Sequence, residues 1–149
     1  METENVAQKA AEPPRSKKPD YIAAIVVNAL ILIVVNQILN WGILPFLTQD
    51  FKEVLPIQNI SLAATIIFNA AYLFFDPKWF TSLLGMVTNA LGVAVVLRFM
   101  SVFPFDFSAY SGFNWTVLAR VLLIIGLVGC CIGIITHTVQ FISALMRRK

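Results

Sequence analysis

Arg98 and Arg120 are the charged side chains set inside the long apolar stretches of the sequence. A charge there is costly, so each needs a ligand, a partner or the interface to explain it. Asp106 falls between them in the run Phe103-Pro104-Phe105-Asp106-Phe107, and Asp50 and Glu53 occupy an earlier polar segment. Two chemistries fit this set. In one, the arginines line an anion or lipid-headgroup pocket walled by aromatic rings. In the other they snorkel and pair with Asp106 and Asp50, pinning the connections, with Asp106 bridging both guanidiniums. Membrane depth and charge balance favour the second.

The remaining polar side chains in apolar runs are amides and small residues. Asn28, Asn36 and Asn40 recur at multiples of four, which stacks them on one helix face, and Asn69 and Asn89 fall in later runs. They either form a polar groove for an ion or small solute or, as the simpler expectation, hydrogen-bond between helices. Gly126, Gly129 and Gly133 include a Gly129-x-x-x-Gly133 spacing that lets a second backbone approach, within the chain or in another copy. Cys130 and Cys131 are adjacent, lack redox spacing, and read as packing residues. His137 stands near Thr136 and Gln140 without Cys, Asp or Glu at ligand spacing, so no metal site is expected. Phosphate-binding loops, dinucleotide fingerprints, zinc motifs, nucleophile elbows and paired catalytic carboxylates are absent from the sequence, and no cofactor is expected. The sequons at Asn59 and Asn114 hug apolar runs and are discounted as glycosylation sites.

These residues are carried by a chain of 149 residues, 58% hydrophobic and 13% charged, with mean hydropathy +0.79. A soluble domain carries about 25% charge, so most of this chain does not face water. The net charge of +3 and a pI near 9.1 arise from basic residues flanking apolar runs, which is membrane topology and not nucleic-acid binding. Apolar stretches at 21–43, 57–75, 79–103 and 115–145 predict an all-α integral membrane protein with four transmembrane helices in a domain covering 20–149. Residues 1–19, with Pro13, Pro14 and Pro19 and almost no large apolar side chain, predict a disordered cytoplasmic tail. The first apolar stretch is too long for a signal-peptide core and reads as an anchor.

Lys9, Arg15, Lys17, Lys18, Lys78, Arg147, Arg148 and Lys149 fall on one side of this frame, which predicts both termini in the cytoplasm of a cell, most simply at a bacterial inner membrane. The other basic residues, Lys52, Arg98 and Arg120, go with the outer connections. Tyr21, Tyr72, Trp79 and Phe80 would mark the inner interface, and Trp41, Phe103, Tyr110 and Trp115 the outer one. In the connection 44–56, Phe46, Leu47, Phe51, Val54 and Leu55 segregate from Gln49, Lys52 and Glu53, predicting a short helix on the membrane surface capped by Thr48 with Asp50 in its first turn. Asp76 is the expected cap of the third helix, with Pro77 at its first position.

Val26-Val27-Asn28-Ala29-Leu30 recurs as Val87-Thr88-Asn89-Ala90-Leu91, and Pro45-Phe46 as Pro104-Phe105. The pattern suggests two helical hairpins in a parallel internal repeat. It resembles small multidrug transporters only in helix number and lacks their deep carboxylate; it resembles four-helix glutathione-dependent membrane enzymes only in size. The expected role is a non-enzymatic scaffold or accessory subunit, with the lipid bilayer, further copies or another membrane protein as partners. The alternative is an oligomeric transporter or channel for a small anion or amphiphile with an outer arginine-lined mouth. A lipid-modifying enzyme using Asp106 as base is a weaker third reading.

Overall fold

The computed structural model describes residues 18–147, and over that span the protein is all-helical. The long helices are α1 (Lys18–Trp41), α2 (Leu55–Phe74), α3 (Lys78–Val102) and α4 (Trp115–Met146), with a 3₁₀ turn at Gln49–Glu53. Each of the four is long and apolar enough to cross a bilayer. The 20 residues of α2 reach roughly 30 Å at about 1.5 Å per residue, matching a hydrocarbon core of about 30 Å. The 32 residues of α4 reach roughly 48 Å, more than a hydrocarbon core requires, so in a bilayer its ends would extend into the headgroup layers or the helix would tilt.

Helix ends follow local chemistry. α1 begins at Lys18, two residues earlier than the expected tail boundary, because Pro19 and Asp20 both suit a first turn: proline needs no hydrogen-bond acceptor there and the aspartate favours the positive dipole end. The remainder of the proposed tail, 1–17, lies outside the described residues, as do Arg148 and Lys149. Gly42 at φ +60° follows the end of α1, the left-handed position where glycine pays no Cβ penalty. α3 stops at Phe103, a left-handed non-glycine residue (φ 43°, ψ 66°), and Pro104 follows it. Asn114 caps α4 by accepting the Val117 N–H at 3.2 Å. In the tight turn 75–77 the expected arrangement shifts: Pro77 itself takes the cap position, and the Asp76 carboxylate receives the Tyr21 hydroxyl at 3.3 Å instead of capping α3.

The helices pack serially. α1 lies on α2, α2 on α3 and α3 on α4; the α3–α4 interface is the most extensive and α2–α3 the slightest. The result is two hairpins joined along α2 and α3. Neither α1 nor α4 contains a buried residue. Side chains such as Ile67, Phe74, Ile125 and Ile135 turn fully outward, an arrangement prohibitive in water but without cost against lipid tails. The buried residues Phe51, Val54 and Pro104 gather instead at one end, where the connections 42–54 and 103–114 meet. This is the cap end.

Candidate functional site

At the cap end the two connections are stitched together by backbone. Thr48 N–H donates to Pro104 O at 3.0 Å and Asp106 N–H to Phe46 O at 2.8 Å, around an antiparallel bridge between Leu47 and Phe105. Phenyl rings fill the junction: Phe99 and Phe105 stack nearly parallel at 6.0 Å, Phe105 and Phe107 at 6.0 Å, and Phe46 and Phe107 at 5.3 Å. The expected surface helix over 44–56 is therefore corrected to a five-residue 3₁₀ turn wedged inward. Phe51 and Val54 are 5% and 0% exposed because the Phe51 ring finds Phe99 at 5.9 Å, a better partner than the bilayer surface. Thr48 takes the cap position without capping backbone; its hydroxyl donates to Asp50 Oδ2 at 3.4 Å.

The anticipated charged cluster separates. Arg98 Nη2 pairs with Glu53 Oε2 at 2.8 Å, and its Nε donates to the Glu53 carbonyl at 3.2 Å. Arg120 lies over the Phe103 ring, 4.6 Å from its centroid, a cation–π contact. Asp106 bridges neither: its carboxylate accepts the Ser108 N–H at 2.9 Å across two residues. The bridging expectation fails because an aspartate satisfies its nearest loop amide at less entropic cost than it recruits two distant guanidiniums. That backbone bond, with the Ser108 side chain, holds the Asp106 carboxyl below the usual aspartate range. Asp50 stays exposed and apart from both arginines, engaged only with Thr48.

Arg120 and Asp106 nevertheless line one open cleft of about 740 Å³ with Ser108, Asn114 and Thr116. Phe107 and Trp115 separate it from an apolar cleft of about 330 Å³ walled by Phe46, Tyr110, Leu118 and Leu122. A polar and an apolar recess thus share a wall.

The amides of the spans are occupied within the protein. Asn36 and Asn59 exchange two hydrogen bonds, 2.8 and 3.0 Å, joining α1 to α2. Asn28, Asn69 and Asn89 each donate to the carbonyl four residues back, at 2.7, 2.8 and 2.9 Å, and Asn40 donates to Gln37 at 3.0 Å.

Glycines set the α3–α4 seam. A Cβ at Gly85 would strike the His137 ring, one at Gly133 the Asn89 amide, and one at Gly92 the Cys130 sulfur, while Gly126 faces Val96. Positions 85, 89, 92 and 96 thus run antiparallel to 137, 133, 130 and 126. Both sets have 4-3-4 spacing, the geometry of interlocking helices. Gly129 has nothing within 4 Å, so the Gly129-x-x-x-Gly133 pair is divided: Gly133 serves the internal seam and Gly129 faces away from it. His137 Nδ1 is buried without a hydrogen-bond partner, and both cysteines are free thiols.

Sequence reasoning passed over Glu53 as the partner of Arg98 and over Gly85, Gly92 and Ser82. The signal for the two glycines was their seven-residue separation, matched on α4 by Cys130 and His137. The chain matches no family model, no protein of described function and no solved structure.

Proposed function

We propose that the protein is a non-catalytic component of a cell membrane, a scaffold or accessory subunit that acts through its contacts in the bilayer, with both termini cytoplasmic. The observation that carries this reading is the engagement of the span amides: each of Asn28, Asn36, Asn59, Asn69 and Asn89 is hydrogen-bonded to its own helix or to its hairpin partner. They therefore consolidate helices instead of offering a line of free polar groups to a passing solute. The two hairpins read as copies of one ancestral unit. Asn28 and Asn89 make the same backbone bond in α1 and α3, and the matching segments at Phe46 and Phe105 meet ring to ring at 6.4 Å.

Purified protein reconstituted in liposomes is expected to give no phosphate, chloride or fluorescent-lipid flux above protein-free vesicles. Protein-dependent flux overturns the proposal. For sidedness, single cysteines placed at Gln49, Ser108, Ser16 and Lys149 in a background lacking Cys130 and Cys131 are expected to label from outside intact cells only at Gln49 and Ser108.

A second reading, transport of a small anion or amphiphile, draws on the adjoining clefts at the cap end, one holding Arg120 and the other apolar. It expects flux that Arg120→Ala reduces and Arg98→Ala leaves intact, since Arg98 is committed to Glu53.

A further inference from the structure

At the end opposite the cap, the first turn of α3 and the last turns of α4 enclose a cleft of about 390 Å³ lined by Lys78, Thr81, Ser82, Gln140, Ser143 and Arg147, with Val139 and Ala144 as its apolar wall. We infer that this cleft binds the phosphate of an anionic phospholipid headgroup.

Ser82 carries the argument. It is 2% exposed, the one buried polar residue among the described residues, its hydroxyl donates to no described group, and it is not one of the fully enclosed polar atoms, so the little of this residue that can be reached opens on the cleft it lines. The threonines around it behave differently: Thr81 donates to the Lys78 carbonyl at 3.2 Å, and Thr88 and Thr138 to carbonyls of their own helices at 3.0 and 2.8 Å. A hydroxyl that faces the cleft and spends no bond on its own helix is free to donate to an acceptor oxygen held there.

The charges select an anion. Lys78 and Arg147 stand on opposite walls, and among the described residues neither is in an ion pair and no carboxylate lines the cleft. Lysine supplies a point charge and arginine a two-toothed fork, the pairing that suits a phosphate. The start of α3 adds its dipole, because the cap position is Pro77, which brings no capping side chain of its own.

Position selects a lipid over a soluble anion. The cleft opens at the level of Tyr21, Tyr72 and Phe80, whose rings lie 5.3 and 6.1 Å apart in turn, an aromatic belt of the kind found at headgroup depth. Val139, 59% exposed, continues the wall toward the hydrocarbon, where acyl chains would run. Basic recesses between spanning helices on the cytoplasmic side are suited to such headgroups. The inference rests on membrane insertion but not on the scaffold role.

The test is native mass spectrometry of the full chain in detergent, titrated with phosphatidylglycerol or phosphatidylcholine. One phosphatidylglycerol is expected to be retained in preference to phosphatidylcholine. Lys78→Gln and Arg147→Gln should each weaken it about fivefold, and Ser82→Ala, nearly isosteric and neutral, about tenfold. Lys52→Gln, at the other end, should leave it unchanged. Equal retention of the two lipids by the wild type, or unchanged affinity in all three cleft variants, overturns the inference. So does displacement of the lipid by millimolar inorganic phosphate, which would mark a soluble-anion site. Circular dichroism and monodispersity of each variant separate loss of binding from loss of fold, and Ser82→Ala keeps the test alive if a charge variant fails to insert.

Discussion

Asn36 on α1 and Asn59 on α2 hold each other by two reciprocal amide hydrogen bonds, each side chain donating Nδ2 and accepting on Oδ1, at 2.8 and 3.0 Å. Removing Asn36 leaves Asn59 without either bond, whereas removing Asn59 leaves the Asn36 Nδ2 its second acceptor, the Leu32 carbonyl at 2.7 Å. Asn36→Leu and Asn59→Leu are each expected to destabilise the protein in detergent, with a coupling energy in the double-mutant cycle of about 0.6–1.7 kcal/mol. Additive single effects in chemical unfolding would show that the pair does not act as a unit.

The α3–α4 seam distinguishes two glycines of the same helix. An alanine methyl at Gly85 would lie 2.6–2.7 Å from atoms of the His137 ring, a rigid obstacle whose displacement costs about 1–3 kcal/mol. The gain in helix propensity, about 1 kcal/mol, does not offset the upper part of that range. At Gly92 the methyl meets only the Cys130 sulfur, at 2.8 Å, and a thiol rotates away. Gly85→Ala should therefore lower the melting temperature, His137→Ala should restore it in the double variant, and Gly92→Ala should be close to neutral. Equal melting of the two alanine variants would falsify this register.

Among the acidic residues of the cap end, Glu53 carries the ion pair. The paired side chains of Arg98 and Glu53 are 45% and 58% exposed, so Glu53→Gln is expected to cost only about 0.2–1 kcal/mol, and less at high salt. Asp50→Ala and Asp106→Ala should lower the melting temperature of the solubilised protein less than Glu53→Gln does. An Asp106 effect larger than that of Glu53 would return the bridging role to Asp106.

The Asp106–Ser108 turn has a defined pH response. The folded-state carboxyl titrates below the usual aspartate range, chiefly through the Ser108 backbone N–H, so its contribution is present above the unfolded pKa and is lost as pH falls through the folded one. The Ser108 amide resonance should hold constant from neutral pH down through the ordinary aspartate range and shift only below it. In Ser108→Pro, which removes that N–H, the Asp106 midpoint should move upward. A midpoint at or above the ordinary value in the wild type contradicts the hydrogen bond.

The helices were legible because apolar runs of bilayer length with at most one charge each admit few other structures; Gly42 and Asn114, which end α1 and cap α4, carry familiar end signals that the reading of the runs did not use. The charge partners were not. Arg98 had Asp50, Glu53 and Asp106 within reach of a plausible loop path, and the choice of Glu53 depends on how the segment 49–54 wedges under Phe99, a tertiary packing outcome. The seam was partly hidden for a related reason. Gly129-x-x-x-Gly133 is conspicuous along one helix, whereas Gly85 and Gly92 acquire meaning only when His137 and Cys130 are set opposite them. The same holds for Ser82, an ordinary helical serine until the last turns of α4 cover it.

The two hairpins are pinned to each other at both ends, by the covalent turn 75–77 on one side and on the other by the Thr48–Pro104 and Asp106–Phe46 backbone bonds. Between those pins runs the slightest of the helix interfaces, α2 against α3. The slightest of the helix interfaces is thus the one clamped at both its ends, so the geometry constrains sliding and splaying of the two hairpins most, and a change of angle about the line from pin to pin least.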